Sequence, residues 1–440
     1  MGQSDRHPRD NFAPVTEECS ALDLEVRGRV PAGLDGQYVR TGRNAFPDSD
    51  PHHRPAHAGM VHGTRLGSGR ALSYRNRWIR PPPIPRHMER DVLVPAGDGS
   101  AALFTHAGQL YATAELSLPC LLSSTLETLG LSDFGAALPA GAAPHTRQDP
   151  RTGELHVLSY HFELPYVRHH RINGRGQLVE SRALPWQRPS MVHDFGLLES
   201  HLVVFDMPLL FSEDALLDGQ PLPYRWHPEE GARIGLIPRK GSTVDAEWFE
   251  LEPFWVSHLA GVQSTQNQIV IDAIVAPPHY QRDFTDEAEG QRRLARCTLD
   301  RARKVALLET LDSDPQEHPA RDTRRPYGES RWLWTTACEH DPDGCLPVGR
   351  RLYRHDLVTG ARAEVWIPES GLCGEVTFVP ADERAPEGKG WLLGYVWHPE
   401  DERSELLVLD AMQPDAAPVA RVTLPQRVPF GTHGCWLPAN

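Results

Sequence analysis

The sequence predicts an all-β fold, either a barrel or a propeller. Hydrophobic residues alternate with period two in short runs, tight-turn sequences separate those runs, and 40 prolines are dispersed over 440 residues. Each proline removes a backbone donor and blocks a helix interior, so this distribution excludes an all-helical chain. In chain order the alternating runs are Gln109–Ala114, Glu154–Tyr160, Leu202–Asp206, Gln268–Ile274, Arg351–Asp356, Trp391–Trp397 and Glu405–Leu409. The turns between such runs are Asp149-Pro-Arg-Thr-Gly153, Asn173-Gly-Arg-Gly176 and Asp356-Leu-Val-Thr-Gly360, which supply the left-handed glycines and Asx side chains that hairpins use. A unit of strand, D-x-x-T-G turn and strand recurs at Thr146–Tyr160 and Tyr353–Trp366, with a looser copy at Cys297–Leu308. Hairpins without βαβ alternation point to a repeated all-β architecture. The self-similarity does not count the repeats.

Ser117–Gly141 reads differently. It is rich in Leu and Ala, and its pattern predicts a short helix and loop. Its semi-apolar surface then either packs over the sheet or forms an entrance lip for an apolar substrate, touching a membrane face. No linker or low-complexity segment divides residues 1–440, which are read as one domain.

Charge and cysteines exclude several classes. Fifty-nine acidic against 45 basic residues give a net charge of −14, and no clustered basic face is present, so no nucleic-acid partner is expected. The seven cysteines are odd in number and lack C-x-x-C spacing, which disfavours a disulfide framework and fits a reducing compartment. The N-terminus has no apolar core of a signal peptide, and no run is long enough to span a bilayer as a helix. The expected location is cytoplasmic.

Of 22 histidines, four lie in apolar, strand-like surroundings: His145, His193, His258 and His433. Any one alone is more often a hydrogen-bonded core residue than a ligand. Four spread along the chain converge only where many strands point inward, as on a propeller axis, and there imidazoles suit Fe, Zn, Cu or Ni. Two competing clusters are His52, His53, His57 and His62 in a Pro-rich stretch that reads as surface loop, and Cys338, His340 and Cys345 around a β-turn. No G-x-S-x-G, H-E-x-x-H, Walker A or G-x-G-x-x-G motif occurs.

Five motifs in order resemble those of the carotenoid cleavage oxygenase family over nearly the whole chain. They are Gly36-Gln-Tyr-Val-Arg-Thr-Gly-Arg-Asn44, Ala71-Leu-Ser-Tyr-Arg-Asn-Arg-Trp78, Pro189-Ser-Met-Val-His-Asp-Phe195, Glu375-Val-Thr-Phe-Val-Pro380 and Leu424–Trp436. The resemblance implies a seven-bladed β-propeller with a loop and short-helix cap, and an axial Fe(II) held by His145, His193, His258 and His433. It also implies that Glu115, Glu317 and Glu375 accept hydrogen bonds from the far nitrogens of His193, His258 and His433, leaving His145 without a carboxylate. Outer carboxylates of this kind fix the tautomer and orientation of a ligating imidazole.

The chain departs from the family pattern in places. Ala56-His-Ala-Gly-Met-Val-His62 lacks two aspartates, and His258-Leu-Ala-Gly-Val262 has Gly261 where an Asn is usual. Ser100-Ala101 replaces an Asn-Thr pair, and Thr432 and Cys435 stand where Phe and often Asn are found. Ala114 occupies the place of a Lys that stilbene-cleaving relatives put before the first glutamate, which disfavours a phenolate mechanism. The implied activity is cleavage of a C=C bond in an apocarotenoid or similar apolar conjugated alkene by O2. The alternatives are a stilbene- or phenylpropenoid-cleaving oxygenase and a non-catalytic propeller that binds an apolar ligand.

Overall fold

The computed structural model describes residues 11, 13–45, 57–83, 97–135, 138, 141–218, 220, 222–276, 292–325, 330–338, 349–368 and 370–439. Among them, seven antiparallel sheets of four to six strands form a seven-bladed β-propeller. Blade one contains Ser20–Leu22, Gly36–Ala45, His57–Gly67 and Arg70–Trp78, and the C-terminal strand Gly434–Pro438 pairs beside Gly36–Ala45. Blades two to six follow in order, their first strands being Ala102–His106, Ala142–Gln148, Phe195–Leu197, Trp255–Ser264 and Gln316–Ala320. Blade seven runs from Leu372–Cys373 to Ala420–Thr423 and takes Val26–Gly28 from the N-terminal region as its outer strand. Both chain ends are therefore built into neighbouring blades, which pairs strand edges at the seam of the ring.

The alternating runs are strands: Gln109–Thr113, Leu155–Tyr160, His201–Asp206, Gln268–Ala276, Leu352–Asp356, Gly390–His398 and Arg403–Asp410. The three predicted turns place Gly153, Gly176 and Gly360 at φ of +70°, +76° and +74°, where a side chain would be strained. Blades pack through interdigitated apolar faces. Between blades six and seven, Trp334 is fully buried and stacks on Phe378 with ring centroids 5.1 Å apart.

Ser117–Gly141 corrects the sequence reading. Its described residues contain no helix; Cys120–Leu122 and Thr128–Leu131 are the outer two strands of blade two. Helix propensity lost to the free edge of Gln109–Thr113, which these strands satisfy. Most of its large apolar side chains face the core rather than a surface: Leu118, Leu122, Leu126, Phe134 and Leu138 are buried, while Leu129 is exposed.

The five-residue helix Glu213–Leu217 lies in an excursion of blade four, beside a ribbon of Leu209–Phe211 and Tyr224–Trp226. The ring of Phe162, from blade three, stacks on Phe211 at 4.6 Å and ties this excursion down. No helix among the described residues is long and apolar enough to cross a membrane.

Neither competing cluster forms a metal site among the described residues. His62 belongs to a strand and not to a loop; it is buried, with Nδ1 2.8 Å from the Tyr74 hydroxyl. His52, His53, His340 and Cys345 lie outside the described residues, as does the side chain of His57. Cys338 is buried.

Candidate metal centre

The axis collects one singled-out residue from each blade. His433 precedes the closing strand of blade one, and Glu115 follows the second strand of blade two. His145 lies in the first strand of blade three, His193 just before blade four, His258 in the first strand of blade five and Glu317 in that of blade six. Glu375 sits between the two short inner strands of blade seven. Strand register shifts next to His145, His258 and Glu317, and such bulges re-aim side chains.

The four imidazoles pack edge to face. The ring of His145 lies 4.8 Å from His193, 5.3 Å from His258 and 4.6 Å from His433, and His258 lies 4.6 Å from His433. Ligating atoms of His145, His258 and His433 fall within 4.8 Å of one another. The His193 ring stands 5.5 Å from that of His258.

Three imidazoles are anchored from behind. His193 Nδ1 is hydrogen-bonded to Glu115 Oε1, His258 Nδ1 lies 2.6 Å from Glu317 Oε2, and His433 Nδ1 lies 2.9 Å from Glu375 Oε1. An ionised carboxylate only accepts, so each Nδ1 carries the proton and each Nε2 presents a lone pair. The carboxylates are themselves fixed. The Tyr160 hydroxyl donates to Glu115 at 2.6 Å, Arg292 Nη1 to Glu317 at 2.7 Å, and the Gly434 amide to Glu375 at 2.7 Å.

Electrostatics follow from burial and pairing. Burial pushes His145 well below the ordinary imidazole range, and its histidine neighbours push it further. Burial also lowers His258, although the Glu317 carboxylate opposes it. At His433 burial acts downward but Glu375 prevails, and the pKa is raised. Glu317 and Glu375 are held below the usual carboxylate range; desolvation opposes this, and the imidazole N–H donors, with Arg292 at Glu317 and the Gly434 amide at Glu375, overcome it.

This arrangement fits a metal ion. The Nε2 atoms of His258 and His433 are 2.9 Å apart, and with both Nδ1 atoms committed to carboxylates two lone pairs face each other. A shared metal ion would satisfy that contact, as would a proton on one of the two nitrogens. His145 Nε2 is buried without a hydrogen-bond partner, which adds a third nitrogen with nothing else to bind. An all-imidazole set suits first-row transition metals.

With this centre described, comparison with known proteins becomes informative. The family model described as Retinal pigment epithelial membrane protein matches residues 12–438. A carotenoid cleavage oxygenase of Mycobacterium tuberculosis is 31% identical, with 98% of this chain and 97% of that protein covered. The chain belongs to the carotenoid cleavage oxygenase family. An isoeugenol monooxygenase of Pseudomonas putida is 25% identical, with 97% of each chain covered. The fold of a lignostilbene dioxygenase of Pseudomonas brassicacearum superposes with a TM-score of 0.84 at 24% identity, covering 98% of each chain.

Against the family pattern, one residue of the centre escaped the sequence reading. His318 is half-buried, with its ring 5.7 Å from His258 and 5.8 Å from His433. Its Nδ1 is buried and unpartnered, and burial pushes its pKa down to about 4. Strict alternation puts residues 317 and 318 on opposite faces. A bulge and a left-handed φ of +55° at His318 bring both to the axis. The Glu317-His-Pro319 run itself was the available signal: a histidine between a buried carboxylate and a proline.

The family departures also have local explanations. The Thr432 hydroxyl lies 2.7 and 2.5 Å from the carbonyl oxygens of Ser100 and Ala101 and shares its one proton between them. Residues 100–101 thus brace the segment that carries His433. Ala114 is nearly buried beside Glu115, leaving no cation at that position.

Proposed function

We propose that this chain is an Fe(II)-dependent dioxygenase that cleaves a C=C double bond of an apocarotenoid or similar conjugated alkene. One molecule of O2 is consumed and two carbonyl products form, one oxygen atom entering each. The observation that carries this reading is the convergence of four half-buried imidazoles, three of them backed by carboxylates, in a chain of this family. His145, His193, His258 and His433 would hold the ion, and Glu115, Glu317 and Glu375 would fix three of the rings. Bound there, Fe(II) supplies the one-electron chemistry that lets triplet O2 react with a closed-shell alkene.

The protein's own contribution is placement. With each Nδ1–H donated outward, every anchored ring keeps its tautomer, and its Nε2 stays unprotonated and available. The propeller frame holds the four imidazoles and three carboxylates on seven separate blades, so the geometry is set before any ligand arrives. The four imidazoles are half-buried, which limits the access of bulk water to the centre. Cleavage between two carbonyl products needs no general acid, and no side chain here is assigned that role.

A second reading, cleavage of a phenylpropenoid or stilbene, is favoured by the similarity to isoeugenol monooxygenase across nearly the full length. Ala114 speaks against a phenolate mechanism that needs a cation at that position. The test is anaerobic purification, metal analysis, and O2 uptake with panels of apocarotenals, hydroxystilbenes and isoeugenol. Stoichiometric iron with uptake matched to aldehyde formation from apocarotenals is the expected result. Uptake with phenylpropenoids alone selects the second reading, and iron without uptake on any panel points to a non-catalytic ligand-binding propeller.

A further inference from the structure

Arg321 directly follows the inner strand of blade six that carries Glu317 and His318. Its guanidinium reaches toward the inner strand of blade five: a Cβ built on Gly261 would stand 3.5 Å from Arg321 Nη1. Gly261 lies three residues beyond His258, which at strand rise places this contact roughly 10 Å along the axis from the imidazoles. Arg321 Nη1 is buried and has no hydrogen-bond partner.

The charges around Arg321 are already paired with one another. Asp194 binds Arg147 at 2.5 Å and also accepts the Leu259 amide at 2.9 Å. Asp322 binds Arg324 at 2.5 and 2.8 Å, and Asp272 binds Arg296 in a fork at 2.7 and 3.0 Å. Four guanidiniums therefore meet three carboxylates, and the unmatched one is Arg321. Desolvation and the nearby Arg147 push its pKa down to about 10, so it is still a cation at neutral pH. A buried cation with an unused donor is costly unless an anion or acceptor meets it.

Glycine at position 261 explains why no protein group does so. An amide side chain there, as the family pattern usually has, would reach Nη1 and accept from it. Its absence leaves the Nη1 donor without a protein acceptor, amid an excess of positive charge.

We propose that Arg321 and the space left beside Gly261 form a binding site for one small monovalent anion, such as a halide, between the inner strands of blades five and six. The guanidinium donates to the anion and supplies the balancing charge. This site does not depend on the reading of the catalytic reaction, and its occupancy is measured without turnover.

The experiment uses metal-loaded protein in glutamate buffer, titrated with sodium bromide at constant ionic strength. Unfolding temperature is followed by calorimetry, and bromide is located by anomalous diffraction. The expected result is a saturable rise in unfolding temperature and a single bromide bound beside Arg321. Gly261→Asn supplies an acceptor where a Cβ has ordinary contact distance, and its backbone needs no left-handed conformation. It is expected to abolish the bromide response while keeping the fold, and Arg321→Gln to weaken apparent affinity by about tenfold or more. The proposal is overturned by a bromide response that never saturates, by water alone beside Arg321, or by an undiminished response in Gly261→Asn.

Discussion

Replacing Glu317 by Gln isolates what the outer carboxylates contribute, because the change is isosteric and the surroundings leave little freedom. Glu317 is 1% exposed, and its two oxygens meet three donors: His258 Nδ1 at 2.6 Å, Arg292 Nη1 at 2.7 Å and the His318 amide at 3.0 Å. A glutamine keeps one oxygen. Its amide nitrogen must then face either the His258 N–H or the Arg292 guanidinium, donor against donor. One charge-assisted hydrogen bond of about 1.5–3 kcal/mol is lost. Half-buried Arg292 also loses the charge of the carboxylate it binds, and the metal-free chain is expected to lose at least that one bond, about 1.5–3 kcal/mol.

Metal affinity should fall about 10–100-fold, since an outer partner of a ligating imidazole has been removed. Glu115→Gln is the matched control. There the partner of the second oxygen is the Tyr160 hydroxyl, which can turn and accept from the new amide while the remaining oxygen still accepts from His193. Its metal affinity should change by less than about threefold. The assay is titration of the metal-free proteins with Co2+ against a competing chelator, alongside thermal unfolding without metal. Equal effects of the two substitutions, or no effect of Glu317→Gln on either measurement, would refute the reasoning.

Three further outcomes are expected. Gly431→Ala places a Cβ 2.3 Å from the Thr41 carbonyl oxygen, so the segment carrying His433 must shift; metal content per chain should fall while the far-ultraviolet dichroism of the sheets persists. Trp334→Ala empties a fully buried site against Phe378 and should cost about 3–5 kcal/mol, read as a lower unfolding temperature with unchanged metal stoichiometry. Acid should destabilise the chain through its buried neutral histidines outside the centre. Burial pushes His156 down to about 3 and His170 and His355 down to about 4. The unfolded chain binds these protons near pH 6.5 and the folded chain does not. Stability is therefore full above that pH and falls on acidification by about 1.4 kcal/mol per unit for each, until the folded values are reached. An unfolding temperature that stays flat from pH 7 to 5 would contradict this.

Period-two runs and their glycine turns were legible because a strand's burial pattern repeats over its own few residues. The four histidines stood out because each is embedded in apolar strand-like sequence, and the motifs that resemble the family supplied the glutamates. Ser117–Gly141 was misread because its composition favours a helix, whereas the open edge of Gln109–Thr113 made two strands the better-satisfied state. His318 was missed because a bulge and a left-handed residue override alternation, and the Glu317-His-Pro319 run marks the place without showing that both side chains reach the axis.

The sequence by itself determined the all-β class and the positions of the hairpins, which follow from short-range rules of side-chain alternation and turn conformation, while its resemblance to the family singled out the histidines and glutamates that the structure brings to the axis. Only the tertiary structure decided which Nε2 atoms face one another, that His318 joins them, and that Arg321 is left unmatched beside Gly261. Those facts depend on contacts between residues from different blades, tens to hundreds of positions apart, and on strand bulges whose register is set by pairing across the sheet.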